Sequence, residues 1–275
     1  MHNSKYPISL VCGILLLFWI AILIMGAPFL TPFDPLEQNS SLRLEKPSLT
    51  HPLGTDRYGR DVLSRTLHGG RTTLISSVLA LSSTLFIGLI VGLVAGMYHR
   101  SIIDTILMRV IDVLLAFPFM VLAMVIATLF GTSFIHLLIA VVSVWWISFA
   151  RLTRSVVLQA KNDTSIAAAT VLGAKRYVIM FQELLPKAVG PVLVLATFEL
   201  GSLILSISAL SFLGLGSQPP TPEWGSMLAD GRDHFFQAPH ILLGPTLFIM
   251  LTVLAFNLIG EGLRDWFDPN EITKF

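Results

Sequence analysis

Long apolar runs with no charge in them are what most limits the structures this chain can adopt. Residues 8–30 contain no Asp, Glu, Lys or Arg. A run of that length is long enough to cross a bilayer as a helix, the only conformation of a single segment that satisfies its own backbone there. Five further runs follow, at 72–98, 106–130, 134–150, 188–213 and 241–260. Only three charges interrupt these runs: Arg109 and Asp112 lie near the start of the third and Glu199 near the middle of the fifth. The chain is 54% hydrophobic and 13% charged, with a mean hydropathy of +0.77. Water-soluble domains carry about a quarter charged residues, so a soluble fold is excluded. The sequence therefore predicts an all-α polytopic membrane protein with six transmembrane helices. Lys5 precedes the first run as in a signal peptide, but the run is too long and no A-x-A site follows, so it is expected to be retained. A net charge of +1 gives no basic excess for nucleic acid, and the single Cys12 rules out a disulfide framework.

Positive charge sets the expected orientation. The segment between the fourth and fifth runs, 151–187, carries Arg151, Arg154, Lys161, Lys175, Arg176 and Lys187, and the turn after the second carries Arg100. The connections after the third and fifth runs carry none and Arg232 alone. The basic connections are expected in the cytoplasm, which puts both termini there. The first connection, 31–71, disagrees: it is expected outside yet holds six basic residues, partly offset by Asp34, Glu37, Glu45, Asp56 and Asp61.

Within the second run Gly88, Gly92 and Gly96 recur every four residues, which places them on one helix face for close packing against a neighbour. The segment from Ser165 to Pro186 reads SIAAATVLGAKRYVIMFQELLP. Ile166, Ala169, Leu172 and Gly173 fall at helical spacing, Asp163, Thr164 or Ser165 can cap the start, and Lys175 and Arg176 follow the glycine. A short amphipathic helix over about 164–175 is expected outside the bilayer. Spacing alone leaves open whether it rests on lipid or docks a partner.

This segment resembles the EAA loop of ABC-importer permeases, EAA-x3-G-x9-I-x-LP, through Ala168, Ala169, Gly173, Leu185 and Pro186, with Ala167 where that family has glutamate. The resemblance implies that Ala167, Ala168, Ala169, Leu172, Gly173, Leu185 and Pro186 couple the chain to an ATPase. Three more stretches narrow it. HPLGTDRYGRDVLSR (51–65), SFLGLGSQPPTPEWGSML (211–228) and NLIGEGLRDWFDP (257–269) resemble the second permease subunit of dipeptide, oligopeptide and nickel importers. The resemblance implies a type I ABC importer permease fold. It divides the chain into an N-terminal helix with an external segment (1–71), a transmembrane domain (72–263) and a cytoplasmic tail (264–275). It implies a homologous second permease, two ATP-binding subunits and an extracytoplasmic substrate-binding protein as partners, in a bacterial plasma membrane.

No G-x-x-x-x-G-K-[ST] loop occurs and no Gly-Lys pair exists, so ATP is expected to be used by partner subunits, with no cofactor on this chain and no enzymatic chemistry of its own. Glu199 is either a polar point on the pathway or a hydrogen-bonded residue at the partner interface. An acidic residue there resembles nickel-importing members, so the expected cargo is nickel as a small chelate, with di- or oligopeptides as the alternative. His234 and His240, near Asp230 and Asp233, are weak candidates for a transient metal contact. An ion-coupled secondary transporter is the competing class, but the internal repeats or paired broken helices it needs are not seen in the sequence.

Overall fold

The computed structural model describes residues 7–131 and 133–267, and these are helical apart from loops and one isolated bridge between Thr55 and Asp61. The helices are α1 (Ile8–Met25), α2 (Ala27–Leu30), α3 (Val62–Met97), α4 (Ile102–Leu115), α5 (Phe119–Phe130), α6 (Phe134–Ala160), α7 (Thr164–Val171), α8 (Arg176–Val178), α9 (Leu185–Leu210), α10 (Trp224–Arg232) and α11 (His240–Phe267). Five stretches are each long and apolar enough to span a bilayer, and α4 with α5 makes a sixth if the bent pair counts as one. Lys5 and the end of the chain from 268 lie outside the described residues.

Several expected boundaries move. The second span begins at Val62, ten residues before position 72, so the division at 71 falls inside α3. The polar residues Ser64, Arg65, Thr66 and His68 made this stretch read as loop. They stay helical because Asp61 caps the start, accepting from the Ser64 backbone N–H at 2.7 Å, and because partners elsewhere in the fold take up their polar groups. At 36 residues, α3 is roughly 54 Å long, well beyond the roughly 30 Å of bilayer hydrocarbon. The third span is not straight: α4 and α5 meet at 95° around Pro118. Proline disfavours helical backbone at Phe117 before it and supplies no N–H, so the first helix stops and a second begins. The fourth span continues ten residues past 150 to Ala160, and the sixth continues from 260 to Phe267. α10 forms inside the connection 214–240, where only loop was expected.

α3 and α6 run parallel at the centre. A Cβ at Gly88, Gly92 or Gly96 would come within 3.0 Å of Phe149, Thr153 or Val157 respectively, so the backbones touch along three turns. The apolar face of α9 closes on this pair through Leu203, Ile207 and Leu210, which meet Leu137 and Val141 of α6 and Ala80 of α3. α11 packs on α9, and α1 packs on α11. Gly13 and Gly262 permit that last contact by lying against Ile259 and Leu10. The start of α1 and the end of α11 therefore sit at the same end of the bundle as α7, whereas α10 and residues 31–61 occupy the opposite end.

Candidate functional site

At the first of these ends, α7 is anchored by one face only. Ile166 is buried and Ala169 half-buried in a cluster with Leu93, Val157, Ile179 and Leu184, which ties the helix to α3, α6 and the start of the α9 segment. Lys187 Nζ donates to Asp163 Oδ2 at 2.5 Å and pins the beginning of α7 to the first turn of α9. Pro186 sits in that first turn, directly after the π-helical turn Ile179–Leu184 that leads into α9. The end of α7 closes as a Schellman turn: Gly173 takes φ +78° and the Ala174 N–H donates to the Ala169 carbonyl at 3.0 Å.

This corrects one expectation. Leu172 and Gly173 do not share the inward face with Ile166 and Ala169. The helix stops at Val171, the chain turns left-handed, and Val171 and Leu172 point outward at 87% and 85% exposure. Ala168 is also exposed, and Leu185 is half-buried in the anchoring cluster. The result is a blunt apolar knob on a helix fixed to three spans.

Midway along the bundle, Glu199 of α9 is half-buried. Its Oε2 accepts from Trp145 Nε1 at 2.7 Å, and Ser148 of α6 supplies a second hydrogen-bonding side chain. Trp145 in turn takes Phe119, the first residue after the α4–α5 bend, edge-on at 4.6 Å. A carboxylate at this depth needs a partner or a wet cavity. The indole is the partner, and the sequence held no sign of it beyond the Trp145–Trp146 pair.

At the opposite end, two stretches far apart in sequence fold into one unit. Arg60, only 1% exposed, donates to Asp56 at 2.6 Å and lies 3.4 Å from Asp230 of α10, which also binds Arg57 at 2.8 Å. Arg65 reaches Asp56 at 3.5 Å, and His51 pairs with the capping Asp61 at 2.9 Å. Trp224 is fully buried, its indole N–H donating to the Thr66 carbonyl at 2.8 Å. Glu223 is equally buried and caps α10, accepting from the backbone N–H groups of Gly225 and Ser226 at 2.8 and 2.9 Å. Burial pushes the Glu223 carboxyl above its ordinary range, against the opposing pull of those two N–H groups. Three of the six basic residues that upset the charge rule are thus neutralised within the fold. A fourth, Arg71, donates to the carbonyls of Ile24 and Met25.

His234 and His240 do not converge with acidic residues. Asp230 is held by Arg57 and Arg60, Asp233 lies beside Arg232, and no group of three or more metal-ligating side chains forms among the described residues.

With this geometry in view, the comparisons with known proteins are consistent in kind. Residues 88–272 match the model of the family described as binding-protein-dependent transport system inner membrane component. The chain is 41% identical over 259 residues to the dipeptide transport system permease protein DppC of Alkalihalophilus pseudofirmus, covering 94% of this chain and 85% of that one. It is 41% identical over 266 residues to the glutathione transport system permease protein GsiD of Pectobacterium atrosepticum, covering 96% and 88%. It is 40% identical over 263 residues to the di/tripeptide transport system permease protein DppC of Pseudomonas aeruginosa, covering 94% and 86%. The expectation of nickel as cargo finds no support in these relatives.

Proposed function

The chain belongs to the family of binding-protein-dependent transport system inner membrane components, and from that premise we propose that it carries small peptides across the membrane as one of two homologous permeases. As a permease of a binding-protein-dependent ABC importer it has transport, not catalysis, as its role. In our reading, separate ATP-binding subunits hydrolyse ATP and press on α7, and the end carrying α10 receives a binding protein loaded with peptide. The α7 end then faces the cytoplasm of a bacterium, and both termini lie with it. Glu199, held by Trp145, stands on the pathway as a contact for a peptide's ammonium group.

One observation carries the coupling half of this reading: an apolar knob, Val171 and Leu172, exposed on a helix whose other face is locked into three spans. An apolar knob held clear of the bundle is a surface built to be covered. Leu172→Glu tests it. The variant should fold as the parent does, since Leu172 is 85% exposed, yet lose peptide uptake and shed its ATP-binding subunits on purification. Normal uptake by that variant would remove the coupling role.

The cargo half is supported by the names of the three relatives, which are dipeptide, di/tripeptide and glutathione transport permeases. Uptake of a labelled dipeptide and of labelled nickel, compared in cells with and without the chain, decides it. Loss of dipeptide uptake with nickel uptake intact is the expected result, and the reverse would restore the metal reading. Glu199→Gln should slow uptake of peptides with a free amino terminus more than uptake of N-acetylated ones. An equal effect on both would take Glu199 off the pathway.

A further inference from the structure

Between α7 and the bundle, reaching Val171 at the edge of the knob, lies an open-sided cavity of about 500 Å³. Its walls are apolar, formed by Ile166, Val171, Ile179 and Leu184, and two cations, Lys161 and Arg176, complete the lining. Lys161 caps the end of α6 and is partly buried. One of its three ammonium hydrogens goes to the Met97 carbonyl at 2.7 Å. Arg176 stacks over Tyr98 at 5.5 Å. Among the described residues no carboxylate comes within ion-pair distance of either cation. Asp104 is taken by Arg154 and His99, and Asp163 by Lys187. Burial lowers the Lys161 pKa against the pull of Asp104, and the charge on Arg176 adds a smaller lowering. Two like charges therefore line one cavity, with no ion-pair partner there among the described residues.

The depth of the cavity narrows what would balance them. Met97 is the last residue of α3 and closes the apolar turn Leu93–Met97, and Tyr98, His99 and Arg100 follow. In a bilayer, Tyr and basic side chains concentrate where hydrocarbon gives way to headgroups. A half-buried and an exposed cation next to an apolar groove are complementary to an amphiphile with a negative head.

We propose that this cavity is a binding site for an anionic phospholipid. The phosphate would sit between Lys161 Nζ and the Arg176 guanidinium, with an acyl chain along Ile166, Ile179 and Leu184. The lipid would fill the space between α7 and the bundle and stiffen the support of the knob. The inference does not depend on what is transported or on what docks at Leu172.

Lipid retention can be read by native mass spectrometry of the purified, assembled transporter. The preparation is made from nanodiscs of phosphatidylcholine with and without phosphatidylglycerol. Phosphatidylglycerol should be retained out of proportion to its share of the bilayer. Each cation near an anionic headgroup is worth a factor of about five in binding, so Lys161→Gln with Arg176→Gln should cut retention about twenty-five-fold. The charge-preserving pair Lys161→Arg with Arg176→Lys should keep most of it. A melting measurement on each sample shows that the variants remain folded. Retention that merely mirrors bilayer composition overturns the proposal. So does a double variant that keeps its phosphatidylglycerol while shedding an ATP-binding subunit, which would assign the cations to a protein partner.

Discussion

A side chain at Gly92 would collide with Ala150 and Thr153, whereas one at Gly173 would meet nothing within 4 Å and be opposed only by φ +78°. The two glycines should therefore respond differently to substitution. Gly92→Leu is expected to lower stability by about 2–3 kcal/mol, because the helices cannot part without breaking the rest of the α3–α6 seam. Gly173→Ala should cost only about 1 kcal/mol, the local price of a left-handed residue with a Cβ. Thermal unfolding of the purified protein in detergent separates the two. Glu223 offers a test by pH. Its folded-state pKa is raised by burial, so its contribution to stability is complete below the ordinary glutamate range and is lost as pH rises through the raised value. The melting temperature of the parent relative to Glu223→Gln should fall as the medium becomes more alkaline, and a difference independent of pH would refute the assignment. At this scale the sequence was legible where spacing alone decides, as in the glycine stripe. It was not legible at Leu172, because helical periodicity assumes the helix continues and the Schellman turn ends it one residue earlier.

Among the elements, α3 shows why polarity misleads at the end of a span. Its first ten residues look like loop, yet Ser64 and Arg65 are buried because residues 31–61 and α10 fold over them. The motifs at 51–65 and 211–228 were readable separately, but their contact was not, since a hydrogen bond from Arg65 to the Pro220 carbonyl leaves no trace in local pattern. Asp56 ties this unit together, accepting from the Tyr58 and Arg60 backbones and pairing with two arginines. Asp56→Asn should cost about 3 kcal/mol, because it strips a charge partner from Arg60 in a buried setting. Faster proteolysis within 31–61, with the spans intact, would be its signature. The Lys187–Asp163 pair is more exposed, so Lys187→Ala should cost no more than about 1 kcal/mol. The 95° break between α4 and α5 followed from Pro118 in kind but not in degree. A proline forecasts an interruption, while the angle depends on what Phe119 and Trp145 pack against.

For the whole molecule, hydropathy sufficed to give the architecture, and the charge rule gave an orientation with one dissenting segment. That dissent has a physical cause: Arg57, Arg60, Arg65 and Arg71 are consumed by ion pairs and carbonyls within the fold, so they are not free charges. The molecule is then a lever with a fixed seam at its centre, a tightly paired cap at one end and a protruding apolar knob at the other. Its central claim is that a separate ATP-binding subunit grips the knob. Leu172→Cys, made in a chain carrying Cys12→Ser so that it presents the single thiol, permits a direct test by cross-linking in the assembled complex. The account predicts a disulfide or short-linker adduct to an ATP-binding subunit carrying a cysteine in its docking cleft, with transport arrested until the link is reduced. A thiol that never cross-links to that subunit, and that is labelled from outside intact cells, would contradict it.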